Sequence, residues 1–431
     1  MHVRHLRPVL IGACLLVLAI PAAAWAQDAD GELVQGVIEA PAEEEGAEPA
    51  PVPGVEIAVA SDAGEEVGSA TTAEDGTWSV ELPGPGAYTA TIDATTLPEG
   101  ITLRNPDRAT LEVEVRTGEQ RRVLFPLGEG AAGVTRFDRA PQLLLEGLKL
   151  GLIIAICAIG LSLIFGTTGI TNFAHGELVT FGALSAYFFN ASAGGPGLQL
   201  ILAAVVAVLV GSLFGAGLER GLFRPLRARK TGLVALLVIS IGLSLVLRNL
   251  FLLFFGGRSR PFADYAIQRG IAIGPVSVAP KDLWVMGLSI LVLVLVALAL
   301  QRTRIGKAVR AVADNRDLAE SSGIDVERVV LYIWTFGAGL AALGGVFLGL
   351  GEQVSFQMGF QLLLLMFAGI TLGGLGTAYG ALVGSLVVGL VIQLSTLWIP
   401  TEIRVVPGLA ILILVLLVRP QGILGRAERI G

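Results

Sequence analysis

The chain has 431 residues, of which 53% are hydrophobic and 15% charged, a balance that excludes an ordinary water-soluble protein of this length. The formal net charge of −6 averages two unlike parts: residues 28–140 carry 23 acidic against 7 basic side chains, and residues 141–431 carry 13 against 21. Both cysteines, Cys14 and Cys157, fall in apolar runs, which excludes a disulfide-stapled fold.

Residues 1–26 read as a secretory signal. Arg4 and Arg7 precede an apolar run over 9–20, and Ala24-Trp25-Ala26 supplies small residues for cleavage after Ala26. The alternative, an uncleaved first span, is disfavoured because the run is short for a crossing. Residues 27–52 are acidic and rich in Pro and Ala, with Glu43-Glu44-Glu45 between Pro41 and Pro49, and are assigned as a linker.

Residues 53–128 change to short alternating runs, as at 55–59, 77–82, 88–92 and 111–115, divided by turn signals such as Glu74-Asp75-Gly76 and Pro83-Gly84-Pro85-Gly86. The pattern predicts a small extracellular β-sandwich. Trp78 and Tyr88 read as core aromatics rather than a carbohydrate platform, and the aspartates lack the spacing of a calcium loop. Residues 53–88 resemble the carboxypeptidase-regulatory-like and transthyretin-like sandwich modules, in which the Asp-Gly turn and the aromatic strand after it are structural.

A second linker over 129–141 leads to a transmembrane domain over 142–420 and a short tail, 421–431. Apolar segments recur at about 142–166, 174–190, 198–218, 231–255, 283–300, 329–350, 359–372, 377–396 and 403–418, several long enough to cross a hydrocarbon layer about 30 Å thick. The predicted fold is therefore an all-α polytopic membrane bundle with broken helices behind a small β-sandwich. Basic residues gather at 219–230 (Arg220, Arg224, Arg227, Arg229, Lys230), at 301–328, and in the tail (Arg419, Arg426, Arg429). The Lys/Arg bias puts these regions in the cytoplasm, with the sandwich outside and the C-terminus inside. Nine crossings satisfy this arrangement, as do seven with 359–396 folded back as a re-entrant hairpin. Gly337, Ala341, Gly345 and Gly349 recur every four residues, a stripe suited to close helix packing.

Between two apolar stretches the chain reads Gly166-Thr167-Thr168-Gly169-Ile170-Thr171-Asn172-Phe173-Ala174-His175-Gly176-Glu177. Glycines and hydroxyls here disfavour a continuous helix, and ionisable groups at membrane depth are costly, so the span is predicted to break at a functional place. A second glycine-rich stretch over 369–380 holds Gly373, Gly374 and Gly376, and paired interruptions point to a transport route. Asn172, His175, Gly176, Glu177, Gly373, Gly374 and Gly376 are thus the candidates for lining, anchoring or gating it. Glu352 and Gln353 are weaker candidates for an outer mouth. The Asn-His-Glu spacing suits no metal, and no Gly-x-x-x-x-Gly-Lys-Ser/Thr loop or nucleophile with its base is present. The chain is therefore expected to be a transporter component, not an enzyme, with no cofactor of its own.

From Arg302 to Asp325 the text is amphipathic. Ile305, Ala308, Val309, Val312 and Ala319 fall near one helical face, basic residues fill much of the rest, and Gly323 is a C-terminal stop. Such a helix can lie on the lipid surface. Docking to a partner is favoured because Asp314, Asp317 and Glu320 would repel anionic headgroups.

Together, Asn172-Phe173-Ala174-His175-Gly176-Glu177, the loop from Gly306-Lys307-Ala308-Val309-Arg310-Ala311 to Gly323-Ile324, Gly373-Gly374-Leu375-Gly376-Thr377-Ala378-Tyr379-Gly380 and Arg419-Pro420-Gln421-Gly422 resemble the LivH-type permease subunits of branched-chain amino acid ABC transporters. The resemblance spans about 142–425. It implies pairing with a second, LivM-like permease, two cytosolic ATPase subunits that consume ATP, and an external substrate-binding protein, in a bacterial inner membrane. It makes the 306–323 loop the coupling helix, with Gly306, Lys307, Val309, Arg310, Val312 and Gly323 as its expected contacts. Urea and short-chain amide permeases are similar, and a stand-alone ion-coupled transporter is the alternative class. The sandwich departs from the compact family pattern.

Overall fold

The computed structural model describes residues 32–40, 50–62, 64–98, 101–103, 109–115, 120–125, 127, 136–191, 194–265, 268, 270–274, 276–400, 403, 405–418 and 422–423. The signal segment 1–26, residues 41–49 of the acidic stretch, and the tail arginines 419, 426 and 429 lie outside them. The chain divides into two compact units, residues 24–135 and residues 136–431.

The described residues of the first unit form nine strands: β1 (Leu33–Val37), β2 (Glu39–Ala40), β3 (Ala50–Pro51), β4 (Glu56–Ser61), β5 (Glu66–Thr71), β6 (Thr77–Glu81), β7 (Gly86–Ile92), β8 (Thr110–Val115) and β9 (Gln120–Val123). The two larger sheets have the orders β6-β1-β9 and β5-β4-β7-β8, and β2 pairs with β3 alone. β1 is the central strand of the first, antiparallel to β6 and parallel to β9. This corrects the linker boundary. Val34 and Ile38 are fully buried, so part of the acidic segment belongs to the sandwich, its inward residues outweighing the polar composition around them.

Period-2 alternation does the rest. In β4 and β6 the inward Ile57, Val59, Trp78 and Val80 are buried while their neighbours face out. Trp78 is 4% exposed and lies 6.3 Å from the Phe125 ring, in the core as read from the sequence. Tyr88 is buried with its hydroxyl donating to Gly84 O at 2.7 Å, a tie across the Pro-Gly turn.

The second unit is a bundle of α1 (Ala140–Thr168), α2 (His175–Asn190), α3 (Leu200–Leu218), α4 (Arg224–Ala228), α5 (Leu233–Phe255), α6 (Pro280–Arg302), α7 (Arg304–Asp314), α8 (Arg316–Ser321), α9 (Val326–Glu352), α10 (Met358–Gly373), α11 (Ala378–Ser395) and α12 (Val405–Val418). A π-turn, Glu219–Phe223, joins α3 to α4, and a hairpin of β10 (Ile271–Ile273) and β11 (Val276–Val278) precedes α6. Each of the nine apolar segments corresponds to a helix. Among the described residues, six helices are long and apolar enough to cross a membrane: α1, the continuous Leu200–Ala228, α5, α6, α9 and α11. α2 and α10 have only 16 residues each and α12 has 14, about 21–24 Å at 1.5 Å per residue.

Contact register gives the helix directions. Gly147 lies against Leu390 and Ser162 donates to Thr377 O, so α1 and α11 run antiparallel. Lys149 pairs with Asp282 at 3.1 Å near the starts of α1 and α6, which are parallel. α1 and α9 are buried along most of their length, whereas α3, α5 and α6 leave most of theirs exposed. Glycine makes the centre tight. A Cβ on Gly337 would stand 3.2 Å from the Gly160 backbone, and one on Gly345 would strike Val179 O at 2.0 Å, so the stripe packs α9 against both α1 and α2.

Candidate translocation site

The break in the sequence is a break in the structure. α1 ends at Thr168 because Gly169 takes the left-handed conformation, φ 70°, and donates to Phe165 O at 2.7 Å. Residues 169–174 then climb beside α5. Gly169 faces Leu233, Ser240 Oγ serves Phe173 N at 3.1 Å and reaches Thr171 O at 3.3 Å, and α2 starts only at His175. The chain thus re-enters the bundle as non-helical backbone whose polar groups are met by protein.

Asn172 shapes this entry, its Oδ1 accepting from Ala174 N at 3.0 Å in a local turn. His175 Nε2 lies 3.1 Å from Cys157 O, well inside α1, which places the start of α2 far from the end of α1. Glu177 Oε1 accepts from Ser244 Oγ at 2.9 Å and lies 3.4 Å from Arg248 Nε and Nη2. Ser244 is the twelfth of the 23 residues of α5, so this cluster sits at mid-depth. Asn172, His175 and Glu177 are each fully buried, and Asn172 Nδ2, His175 Nδ1 and Glu177 Oε2 have no hydrogen-bond partner among the described residues.

A second interrupted span meets this one from the other end. α9 closes at Glu352, Gln353 takes φ 74°, Val354 pairs with Arg260, and α10 begins at Met358. Gly176 and Gly359 touch backbone to backbone, and Gly359 N donates to Thr180 Oγ1 at 3.1 Å. The Phe173 and Phe367 rings meet nearby, centroids 4.9 Å apart and tilted by 41°. The starts of α2 and α10 therefore abut in the middle of the bundle. Beyond them Leu184, Tyr187, Phe255, Arg260, Val354 and Phe356 line a cleft of about 10 Å³, room for a single water; Glu352 and Gln353 lie at this same end.

The glycine stretch at 369–380 is placed elsewhere. It is the turn between α10 and α11, with Gly373 against Gly380, Gly374 at φ 115° and Gly376 at φ 78°. Gly376 lies against Gly166 at the end of α1, and Ile423 N donates to Leu372 O at 2.7 Å. The partner of the first break is therefore 353–357, which contains no glycine, while Gly373, Gly374 and Gly376 serve close packing at the end that carries the basic loops.

At that end the loop 302–325 folds as two helices, not one. Thr303 Oγ1 caps α7 by accepting from Gly306 N, Asn315 Oδ1 caps α8 by accepting from Leu318 N, and Gly323 ends it at φ 88°. Gly306 is wedged against the carbonyls of Ala299 and Leu300, and Arg310 Nη1 donates to Leu300 O at 2.7 Å. Val309, Val312 and Ala319 are buried in the bundle's own core. Of the residues read as a docking stripe, Val309, Val312 and Ala319 thus face the bundle, while Ile305 is 52% exposed; Lys307, Arg310, Leu318 and Gly323 are exposed as well.

An ionic cluster fastens this element. Glu327 bonds Arg316 at 2.8 Å, Arg227 at 3.0 Å and Arg224 at 3.3 Å, and Arg227 in turn forks onto the fully buried Glu219. The sequence reading missed this cluster and also Ser240, Ser244 and Arg248. A signal existed for the last: Arg248 is the one charged residue in α5, and an arginine at that depth demands a partner.

The family model for the branched-chain amino acid transport system / permease component matches residues 143–417. The chain belongs to that family. It is 33% identical to the high-affinity branched-chain amino acid transport system permease protein LivH of Escherichia coli (strain K12), over 67% of this chain and 96% of that one. It is 31% identical to the corresponding BraD of Pseudomonas aeruginosa (67% and 96%) and 27% identical to a probable LivH of Methanocaldococcus jannaschii (67% and 94%). Among solved structures, PsaBC from Streptococcus pneumoniae in complex with Fab aligns at a TM-score of 0.39 and 13% identity over 66% of this chain and 96% of that one, too distant to inform the fold. The chain is thus a multi-pass LivH-type permease subunit, and residues 32–127 fall outside the matched region.

Proposed function

We propose that this permease carries branched-chain amino acids inward across a bacterial inner membrane, paired with a second, LivM-like permease, driven by two cytosolic ATPases and fed by an external binding protein. The observation that carries the reading is the α7–α8 element. It is anchored from within by Val309, Val312 and Ala319, tied by Glu327 to α4 and α9, and offers Ile305, Lys307 and Leu318 outward. A helix pair that merely floated on lipid would not need an ionic clamp to the bundle. Its end of the molecule also bears Arg220, Arg224, Arg229, Lys230 and Arg304, the mark of a cytoplasmic face, so residues 27–128 lie outside.

ATP closing the ATPases would push on α7–α8 and shift the abutting starts of α2 and α10, opening a route that is shut here. The test is uptake of labelled leucine, isoleucine and valine by vesicles holding all subunits. Uptake should require the ATPases. Flux that persists without them, or from this chain alone with an ion gradient, refutes the coupling; uptake of urea or an amide in place of amino acids refutes the substrate.

A further inference from the structure

The Glu177–Arg248 pair is built unlike a structural salt bridge. Charge-assisted bonds close to about 2.7–2.9 Å and an arginine holding a carboxylate commonly forks onto both oxygens, as Arg227 does with Glu219 through Nη1 and Nη2. Arg248 instead stands 3.4 Å from a single oxygen, whose best position is taken by Ser244 at 2.9 Å. Glu177 Oε2, in a side chain with no exposure, has no partner among the described residues. The guanidinium lies 3.8 Å over the Phe360 ring, spends Nε and Nη2 on Glu177 and Ser244, and keeps its Nη1 edge without a hydrogen bond among the described residues, at 18% exposure.

Two opposite charges with unused bonding capacity, at mid-depth, where an interrupted helix from each end arrives, complement a ligand that carries both charges itself. We infer that Glu177 and Arg248 bind the zwitterionic backbone of an α-amino acid in transit, Arg248 receiving its carboxylate and Glu177 Oε2 its ammonium. Phe181 and Phe251, one helical turn beyond Glu177 and Arg248 with rings 6.3 Å apart, make the packing next to the pair apolar, as an aliphatic side chain requires. Neutral urea or a simple amide brings no charge to either group and gains little there. The inference rests on the amino-acid importer reading and adds to it the residues that read the substrate's charges.

The test is calorimetric titration of the assembled transporter in nanodiscs, without binding protein, using leucine, leucinamide (no carboxylate) and 4-methylpentanoate (no ammonium). The wild type should bind leucine at least tenfold more tightly than either analogue. Arg248→Gln should erase the preference over leucinamide and keep that over 4-methylpentanoate; Glu177→Gln should do the reverse. Arg248→Lys, which keeps the charge, should retain the carboxylate preference and covers the case in which the glutamine variant does not assemble. No discrimination by the wild type, or an equal loss for all three ligands in each variant, overturns the inference while leucine uptake in vesicles leaves the importer reading standing. Absence of any amino-acid uptake by the wild-type transporter overturns both.

Discussion

The contact between Gly176 and Gly359 sets a measurable requirement. In Gly359→Ala the new methyl carbon would stand 1.9 Å from Gly176 O, 2.4 Å from Thr180 Oγ1 and 2.8 Å from Gly176 C. Relief requires α2 and α10 to part by more than 1 Å, because two of those three atoms are backbone and cannot rotate away. Overpacking of this kind costs about 1–3 kcal/mol, and loss of the 3.1 Å bond from Gly359 N to Thr180 Oγ1 adds about 1 kcal/mol. The expected destabilisation is about 2–4 kcal/mol, read as the shift in denaturant unfolding of the detergent-solubilised chain. Gly242→Ala is the control: it lies within α5 with nothing within 4 Å of its Cβ, so alanine's better helix propensity should leave stability unchanged or raise it by up to about 1 kcal/mol. Equal stability of the two variants would refute the claim that the broken helices meet glycine to glycine.

Four further outcomes are expected. Arg227→Met should destabilise by about 3–5 kcal/mol by leaving the fully buried Glu219 unpaired, and Glu219→Gln combined with Arg227→Met should be milder than Arg227→Met alone in the same unfolding assay. Ile305→Asp should abolish ATP-dependent uptake while leaving stability within about 0.5 kcal/mol, whereas Val309→Asp should lower both uptake and stability because Val309 is 2% exposed; matching effects on stability would place the docking surface wrongly. In a fragment of residues 28–135, followed by fluorescence of its single Trp78, Thr72→Val should lower the unfolding free energy by about 2–4 kcal/mol, since buried Thr72 Oγ1 accepts from Val55 N at 2.9 Å and donates to Val52 O at 2.7 Å. The same fragment should lose stability in acid: hydrogen bonds from Thr77 and Thr95 hold Asp75 and Asp93 below their usual 3.8, so their contribution is present above that value and lost as pH falls through the lower folded-state values.

Elements with strong one-dimensional patterns were legible. All nine apolar segments are helices, the alternating runs are strands, and Asn172, His175 and Glu177 are buried where the helix breaks. Two kinds of feature were not. β1 hides in an acidic segment because only Val34, Gly36 and Ile38 face inward, too few to outweigh the surrounding composition. The second break at 353–357 carries no glycine and no cluster of hydroxyls, while the glycines at 373–380 that look like a break are there because α10 and α11 pack backbone to backbone. Composition reports a glycine's presence but not whether it supplies a turn or a close approach. Ser244 carries no such mark, and the lone Arg248 in an apolar span signals that a partner exists without saying that the partner is Glu177.

The placement of α9 explains how motion beneath the bundle can reach its centre. Its first turn holds Glu327, the hub for Arg316 on α8 and for Arg224 and Arg227 beneath α3. Its middle has no side chains at the contacts that matter: Gly337 meets Gly160 of α1, and Gly345 meets Val179 O of α2, two residues from Glu177. Long side chains at those contacts would absorb a displacement by changing rotamer. Backbone against backbone cannot, and packed interiors respond by switching arrangement rather than by deforming smoothly. A push on α8 that turns α9 must therefore move α2 with it. Gly345→Ala, whose methyl would meet Val179 O at 2.0 Å, should for that reason impair transport more than Gly351→Ala, which meets nothing on the same helix; equal uptake by the two variants, at matched expression, would show that α9 does not carry the motion.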